Sequence, residues 1–272
     1  MITFLIFNLL ALATTLFAAF HCMPGTCSYA WLPLIYIGTY YAFMLIFLVL
    51  LCSTAVFVSK KKSYSQTHPF YVWAQMRIIE VLCMLCLVRV KMKGLDIVPK
   101  DRPFYLVGNH QSFIDPLLTS YILRKCPFVF ISKPENFAIP FIGRIMHRNL
   151  YLAIDRENNR NALITMSKAI DMLSKQHYSV GIYPEGHRNK TADTLLPFHA
   201  GSFRVPLKAK APVLITVVDG ANRLSKRKFL YPVTVEVRFI ELLETDSFNN
   251  DTQSLSDYCR QRMLNDLAAH AR

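Results

Sequence analysis

The first 59 residues of this chain contain no Lys, Arg, Asp or Glu, so all 31 basic and all 18 acidic residues fall after Ser59. A solvated surface is excluded for that stretch, and the sequence encodes two environments. Disulfide and metal frameworks are also missing, because the seven cysteines form an odd set without framework or zinc-ligand spacing. Cys22 and Cys27 stand close enough to pair. Cys52, Cys83, Cys86 and Cys126 read as small buried hydrophobes, and none has the surroundings of a catalytic nucleophile. There is no internal repeat, no low-complexity linker and no RNP-like aromatic motif, which argues against a nucleic-acid partner.

What fills the uncharged stretch is apolar. Residues 1–20 form a run about as long as the roughly 20 residues a bilayer core requires, and Trp31 to Ser59 form a longer one. Pro24 and Gly25 punctuate a turn between them, giving a hairpin of two membrane helices over 1–59. A secretory signal peptide would need a basic start that Met1 to Leu10 lacks. Lys60-Lys61-Lys62 directly follows the second run and favours the cytoplasmic side, so an integral membrane protein is expected with its catalytic domain on the cytoplasmic face.

The remainder carries the whole formal charge of +13, which calls for an anionic partner. Adjacent membrane helices weight that partner toward lipid. Residues 60–87 read as a basic linker and an interfacial helix that lies against the membrane or packs under the domain, rather than as a third span. From 88 to 272 short apolar runs alternate with helical patterns. Strands are expected at Phe104–Val107, Phe128–Ile131, Ser179–Tyr183, Val213–Val218 and Val233–Phe239, and helices at Pro116–Arg124, Ile139–Met146, Asn159–Lys175 and Gln253–Ala269. Such alternation is the mark of an α/β domain with a central buried sheet flanked by helices.

Two blocks carry chemistry. Asn109-His110-Gln111-Ser112-Phe113-Ile114-Asp115 falls where a buried strand gives way to a helix, the place where α/β domains expose functional side chains. An imidazole titrates near neutrality and can take a proton from a hydroxyl, and a carboxylate on its other nitrogen fixes the tautomer and steadies the imidazolium. Five residues apart on a regular helix the two side chains would face different ways, so the residues between them must turn. The plainer alternative is that Asp115 caps the helix and His110 merely ends the strand. Ser112 raises a serine hydrolase, but the G-x-S-x-G elbow is absent and a Ser two positions from its own base is poorly placed for attack.

The second block, Tyr183-Pro184-Glu185-Gly186-His187-Arg188, follows a strand. Gly186 lets backbone approach an anion, Arg188 can clasp a phosphate in bidentate fashion, and Glu185 can orient Arg188 or accept a substrate hydroxyl. As a surface pair alone, Glu185 and Arg188 would contribute little.

The order NHQSFID, SKPENFAIPFIG, LAIDREN, YPEGHRN, PFHAGSFRVPLKAKAPVLIT resembles the glycerolipid acyltransferases, most closely the 1-acyl-sn-glycerol-3-phosphate (lysophosphatidic acid) acyltransferases, from about Val88 to Val218. The resemblance implies acyl transfer from acyl-CoA or an acyl-carrier protein to the free hydroxyl of lysophosphatidic acid, in a protein that works on a membrane bilayer and needs no cofactor or metal; the alternatives are another lysophospholipid or glycerol 3-phosphate as acceptor, or a non-catalytic lipid-binding membrane protein. It implies His110 as general base and Asp115 as its partner. Lys133, Arg156 and Arg188 would hold the phosphate, Glu185 and Gly186 would shape that subsite, and Pro212 would lie near the acyl donor. His187 departs from the family pattern, which usually has Thr there, and bears on the acceptor head group.

Overall fold

The structure is a computed structural model that describes residues 2–21, 30–155, 158–189, 191, 194–226 and 231–270. The turn between the apolar runs, with Cys22 and Cys27, and the expected phosphate ligand Arg156 lie outside the described residues.

Helices α1 (Ile2–His21) and α2 (Leu32–Ser53) fold back on each other, with Phe4 and Phe7 against Tyr40 and the Tyr36 hydroxyl donating to Asn8. Leu5, Leu9, Phe17, Leu34, Leu45 and Leu50 point outward and are exposed. Removing one such side chain from water is worth about 1.5–3 kcal/mol, so this surface favours a bilayer. Both segments, Thr3–His21 and Leu32–Phe57, are long and apolar enough to cross one.

Helix α3 (Pro69–Leu85) opens with Pro69 at its first position and His68 as its cap. Ala74 and Ile78 pack on Leu51 and Ala55, and Val81 packs on Phe7 and Met44. The expected interfacial helix therefore lies along the hairpin and under the domain at once. Its buried Glu80 pairs with Arg77 at 2.6 Å and accepts from Thr3 at 3.1 Å and from the Tyr121 hydroxyl. A charge so buried requires such partners, and here they tie the start of α1 to α3 and to the helix that carries Tyr121.

The domain holds a seven-stranded sheet in the order β1-β7-β6-β2-β5-β3-β4. Its strands are β1 (Val88–Lys93), β2 (Tyr105–Gly108), β3 (Phe128–Ser132), β4 (Leu152–Ala153), β5 (Ser179–Ile182), β6 (Val213–Asp219) and β7 (Val233–Leu243). Strands β6, β2, β5, β3 and β4 are mutually parallel, while β7 runs antiparallel to β6 and parallel to β1.

The helices between them are α4 (Asp115–Ile122), α5 (Pro134–Ala138), α6 (Ile142–Arg148), α7 (Asn159–Ser174), α8 (Arg204–Ala209), α9 (Arg223–Lys226) and α10 (Thr252–Ala269). Alternation along the strands splits the core in two. Val107, Val180 and Ile215 face α7, α8 and α10, where Met172, Val205 and Leu255 meet them. Leu106, Leu214 and Val235 face Leu118 and Ile122 of α4. The central strands β2 and β5 are buried on both faces, which is why they read as unbroken apolar runs. They aim the residues that follow them at one common edge of the sheet.

Candidate active site

His110 stands two residues beyond the end of β2. Residues 111–114 turn back, with the Asp115 N–H donating to the Ser112 carbonyl at 3.3 Å, and the two side chains meet. His110 Nδ1 lies 2.8 Å from Asp115 Oδ2. That oxygen also accepts the backbone N–H groups of Gln111 and Ser112, each at 2.6 Å. Asp115 is 0% exposed, and its other oxygen, Oδ1, is buried with no hydrogen-bond partner among the described residues. The helix-cap alternative fails here. Asp115 is the first residue of α4 with Ile114 at the cap position, and its carboxylate reaches back to the loop instead of forward into the helix. An ionised carboxylate can only accept, so in the neutral ring Nδ1 carries the proton of this bond and Nε2 is left as an acceptor.

The second block follows β5, the parallel neighbour of β2, and so emerges at the same edge. Gly186 takes φ +74°, a left-handed conformation that glycine adopts without strain, and its N–H closes a turn on the Tyr183 carbonyl at 3.1 Å. This reversal wraps residues 184–189 around His110. Glu185, 2% exposed, accepts the His110 N–H at 2.8 Å with one oxygen and the Leu196 N–H at 2.9 Å with the other. The Asn189 N–H donates to the His110 carbonyl at 2.6 Å. Burial pushes the Glu185 carboxyl above its ordinary range, against the pull of those two N–H groups. Glu185 thus serves the scaffold of His110, and no bond joins it to Arg188 among the described residues.

Arg188 and His187 are exposed at the rim of this loop. Lys133, also exposed, follows β3, two strands from β2 and at the same edge, and precedes α5. Hydrogen bonds and the turn at Gly186 bring His110, Asp115, Glu185 and Gly186 together, Arg188 is carried by the same loop, and Lys133 emerges two strands away at the same edge. Pro212 is the exception. It precedes β6, its carbonyl accepts the Tyr105 N–H at 2.8 Å, and it therefore sits where the parallel strands begin. His110 lies beyond their other end, so Pro212 stands apart from His110 and Asp115 along the strands. Ser112 is buried and joins the site through its backbone N–H.

Three residues of the site were not anticipated. Asn109 extends β2 by exchanging bonds with the Val218 backbone at 2.9 and 2.7 Å. Gln111 accepts the Ala221 N–H at 3.1 Å, and Tyr183 stacks on His110 with ring centroids 4.6 Å apart. The available signal was a pair of polar residues inside an apolar, buried stretch, since buried amides must find partners. A half-buried imidazole held by a buried carboxylate, with exposed cations on the neighbouring loops, is an arrangement able to take a proton from a hydroxyl on an anionic substrate.

Residues 89–218, just under half of the chain, match the family model described as Acyltransferase. The chain is similar to 1-acyl-sn-glycerol-3-phosphate acyltransferases. It is 31% identical over 166 residues to the beta enzyme of Homo sapiens, covering 60% of this chain and 59% of the relative. It is 27% identical over 163 residues to the Escherichia coli (strain K12) enzyme, covering 60% and 66%. The chain thus spans about 60% of the length of the curated relatives it matches. In fold it is similar to the crystal structure of the 1-acyl-sn-glycerophosphate (LPA) acyltransferase from Thermotoga maritima, with a TM-score of 0.58 and 20% identity over 99% of this chain and 98% of that one.

Proposed function

We propose that this protein transfers a fatty acyl group from an acyl thioester to the free hydroxyl of lysophosphatidic acid, giving phosphatidic acid. The observation that carries the reading is the contact between His110 Nδ1 and Asp115 Oδ2, clamped by the loop that bears Arg188. His110 Nε2 takes the proton of the glycerol hydroxyl as its oxygen attacks the thioester carbonyl carbon. The buried Asp115 carboxylate steadies the imidazolium that forms. The tetrahedral intermediate then expels the thiolate, which recovers the proton from His110, and the enzyme returns to its starting state.

A thioester is already an activated acyl group, so acyl-CoA or an acyl-carrier protein supplies the chemistry as substrate and no cofactor is called for. Arg188, Lys133 and Arg156 hold the lysolipid phosphate in this reading, with Gly186 leaving room for it. In this reading the hairpin keeps the site at the bilayer, and the Lys60-Lys61-Lys62 cluster beside the second apolar run supports a cytoplasmic orientation.

The test is purified full-length protein in phosphatidylcholine vesicles with acyl-CoA and a panel of acceptors: lysophosphatidate, lysophosphatidylcholine and glycerol 3-phosphate. Mass spectrometry of the products should show phosphatidic acid from lysophosphatidate at the highest rate. Free fatty acid alone would mean a hydrolase, a different acylated acceptor would reassign the substrate, and no product would mean a lipid binder.

A further inference from the structure

The His110 imidazole lies in a stack of rings. Its ring is 4.6 Å from that of Tyr183 with 14° between the planes, and Tyr183 is 5.2 Å from Phe130 at the same angle. The tyrosine hydroxyl shares a hydrogen bond of 3.3 Å with Thr119 of α4, and burial holds that phenol neutral far above its ordinary range. Two glycines on neighbouring strands make the space. A Cβ on Gly108 would stand 3.0 Å from Cε1 of Tyr183, and one on Gly181 would stand 2.6 Å from Cε1 of Phe130. The chain thus omits side chains at two strand positions so that an aromatic column can lie flat and end on the imidazole.

A ring face is electron-rich and attracts a cation above it, and that attraction grows when the site is shielded from water. Asp115, Glu185 and the neutral Tyr183 are the titratable groups that face His110 from the elements packed against it. Asp115 engages the edge of the ring at Nδ1, whereas Tyr183 engages its flat side. Given the reading of His110 as general base, we propose that Tyr183 is a positioning residue for the reaction: its ring fixes the plane of the imidazole and stabilises the imidazolium that exists only after proton transfer. The neutral imidazole gains less from the stack, so the effect belongs to the transition state and appears in kcat rather than KM.

The experiment compares Tyr183→Phe, Tyr183→Leu and Gly108→Ala with the unaltered full chain and with His110→Ala, in vesicles, over a range of pH. Tyr183→Phe keeps the ring and should retain kcat within about 3-fold. Tyr183→Leu removes the ring and should lose about 3- to 30-fold in kcat at nearly constant KM, the range expected for a cation over an aromatic face. With less stabilisation of the cation, the acidic limb of its rate profile should move toward lower pH. Gly108→Ala, which displaces the ring without altering it, should fall between the two.

Equal activity of the Phe and Leu variants, or a Leu variant whose loss lies in KM with an unmoved pH profile, would overturn the proposal. If Tyr183→Leu unfolds, Gly108→Ala decides: unchanged kcat and pH profile refute the role, and a partial loss supports it. The His110→Ala control keeps the two claims apart. If that variant stays fully active, the base assignment fails first; if it is inactive while Tyr183→Leu is normal, only the stacking role fails.

Discussion

Asp115→Asn separates the charge of the carboxylate from its geometry. In the native site, Oδ2 accepts from His110 Nδ1 and from the N–H groups of Gln111 and Ser112. Asparagine can place its carbonyl oxygen at that position and keep all three bonds, leaving its NH2 where the unpartnered Oδ1 stood. The opposite flip would aim NH2 at two backbone N–H groups, each left unsatisfied at about 1–3 kcal/mol, so the native-like orientation wins. The Nδ1–H tautomer is therefore kept and only the negative charge is lost. For charge centres roughly 4 Å apart at an effective dielectric of about 20, that charge is worth about 4 kcal/mol to an imidazolium, or close to a 1,000-fold loss in kcat. Steady-state transfer from acyl-CoA to lysophosphatidate measures the loss, and thermal unfolding should show a melting temperature shifted by only a few degrees. A variant that keeps more than a tenth of the native kcat would refute the idea that Asp115 acts through charge.

Glu185→Gln should both destabilise and inactivate, because a side-chain amide offers one acceptor to two N–H donors and turns its NH2 on either His110 or Leu196. A loss of about 1–3 kcal/mol in urea unfolding checks the first part, and a kcat loss exceeding that of a surface variant checks the second. Arg188→Ala should lower kcat/KM for lysophosphatidate about 10- to 150-fold, the worth of a charged hydrogen bond, while leaving stability unchanged. Glu236 gives a pH prediction. Hydrogen bonds from Lys93 and Arg238 hold its carboxyl below the usual range, so its contribution to stability is present at neutral pH and is lost as pH falls through that lowered value. Glu236→Gln should be less stable than the native protein at pH 7 and should lose less on acidification, as followed by chemical unfolding at a series of pH values.

Much of the fold was legible because β2, β3, β5 and β6 are buried runs bounded by polar residues or turns, and each begins and ends within one residue of its expected place. Strand β4, with two residues, is too short to show any period, and the six-residue helix α8 is too short to show a helical one. Sheet order was illegible because it depends on which strands meet in space. The His110 and Asp115 contact was readable because both partners lie in one stretch of six residues, from the end of β2 to the start of α4. Pro212 was expected near the acyl donor from the family resemblance alone, and the end of the sheet it occupies follows from the parallel pairing of β6 with β2, which no local pattern announces. Tyr183 was read as the close of a strand, since nothing local announces that its ring will meet an imidazole from the neighbouring strand.

The most direct measurement is the rate of acyl transfer to lysophosphatidate by purified full-length His110→Ala protein in vesicles, with folding verified by its melting temperature. The account predicts a fall of about 100- to 10,000-fold in kcat, the usual worth of a general base. Transfer at a rate near that of the unaltered protein would contradict it.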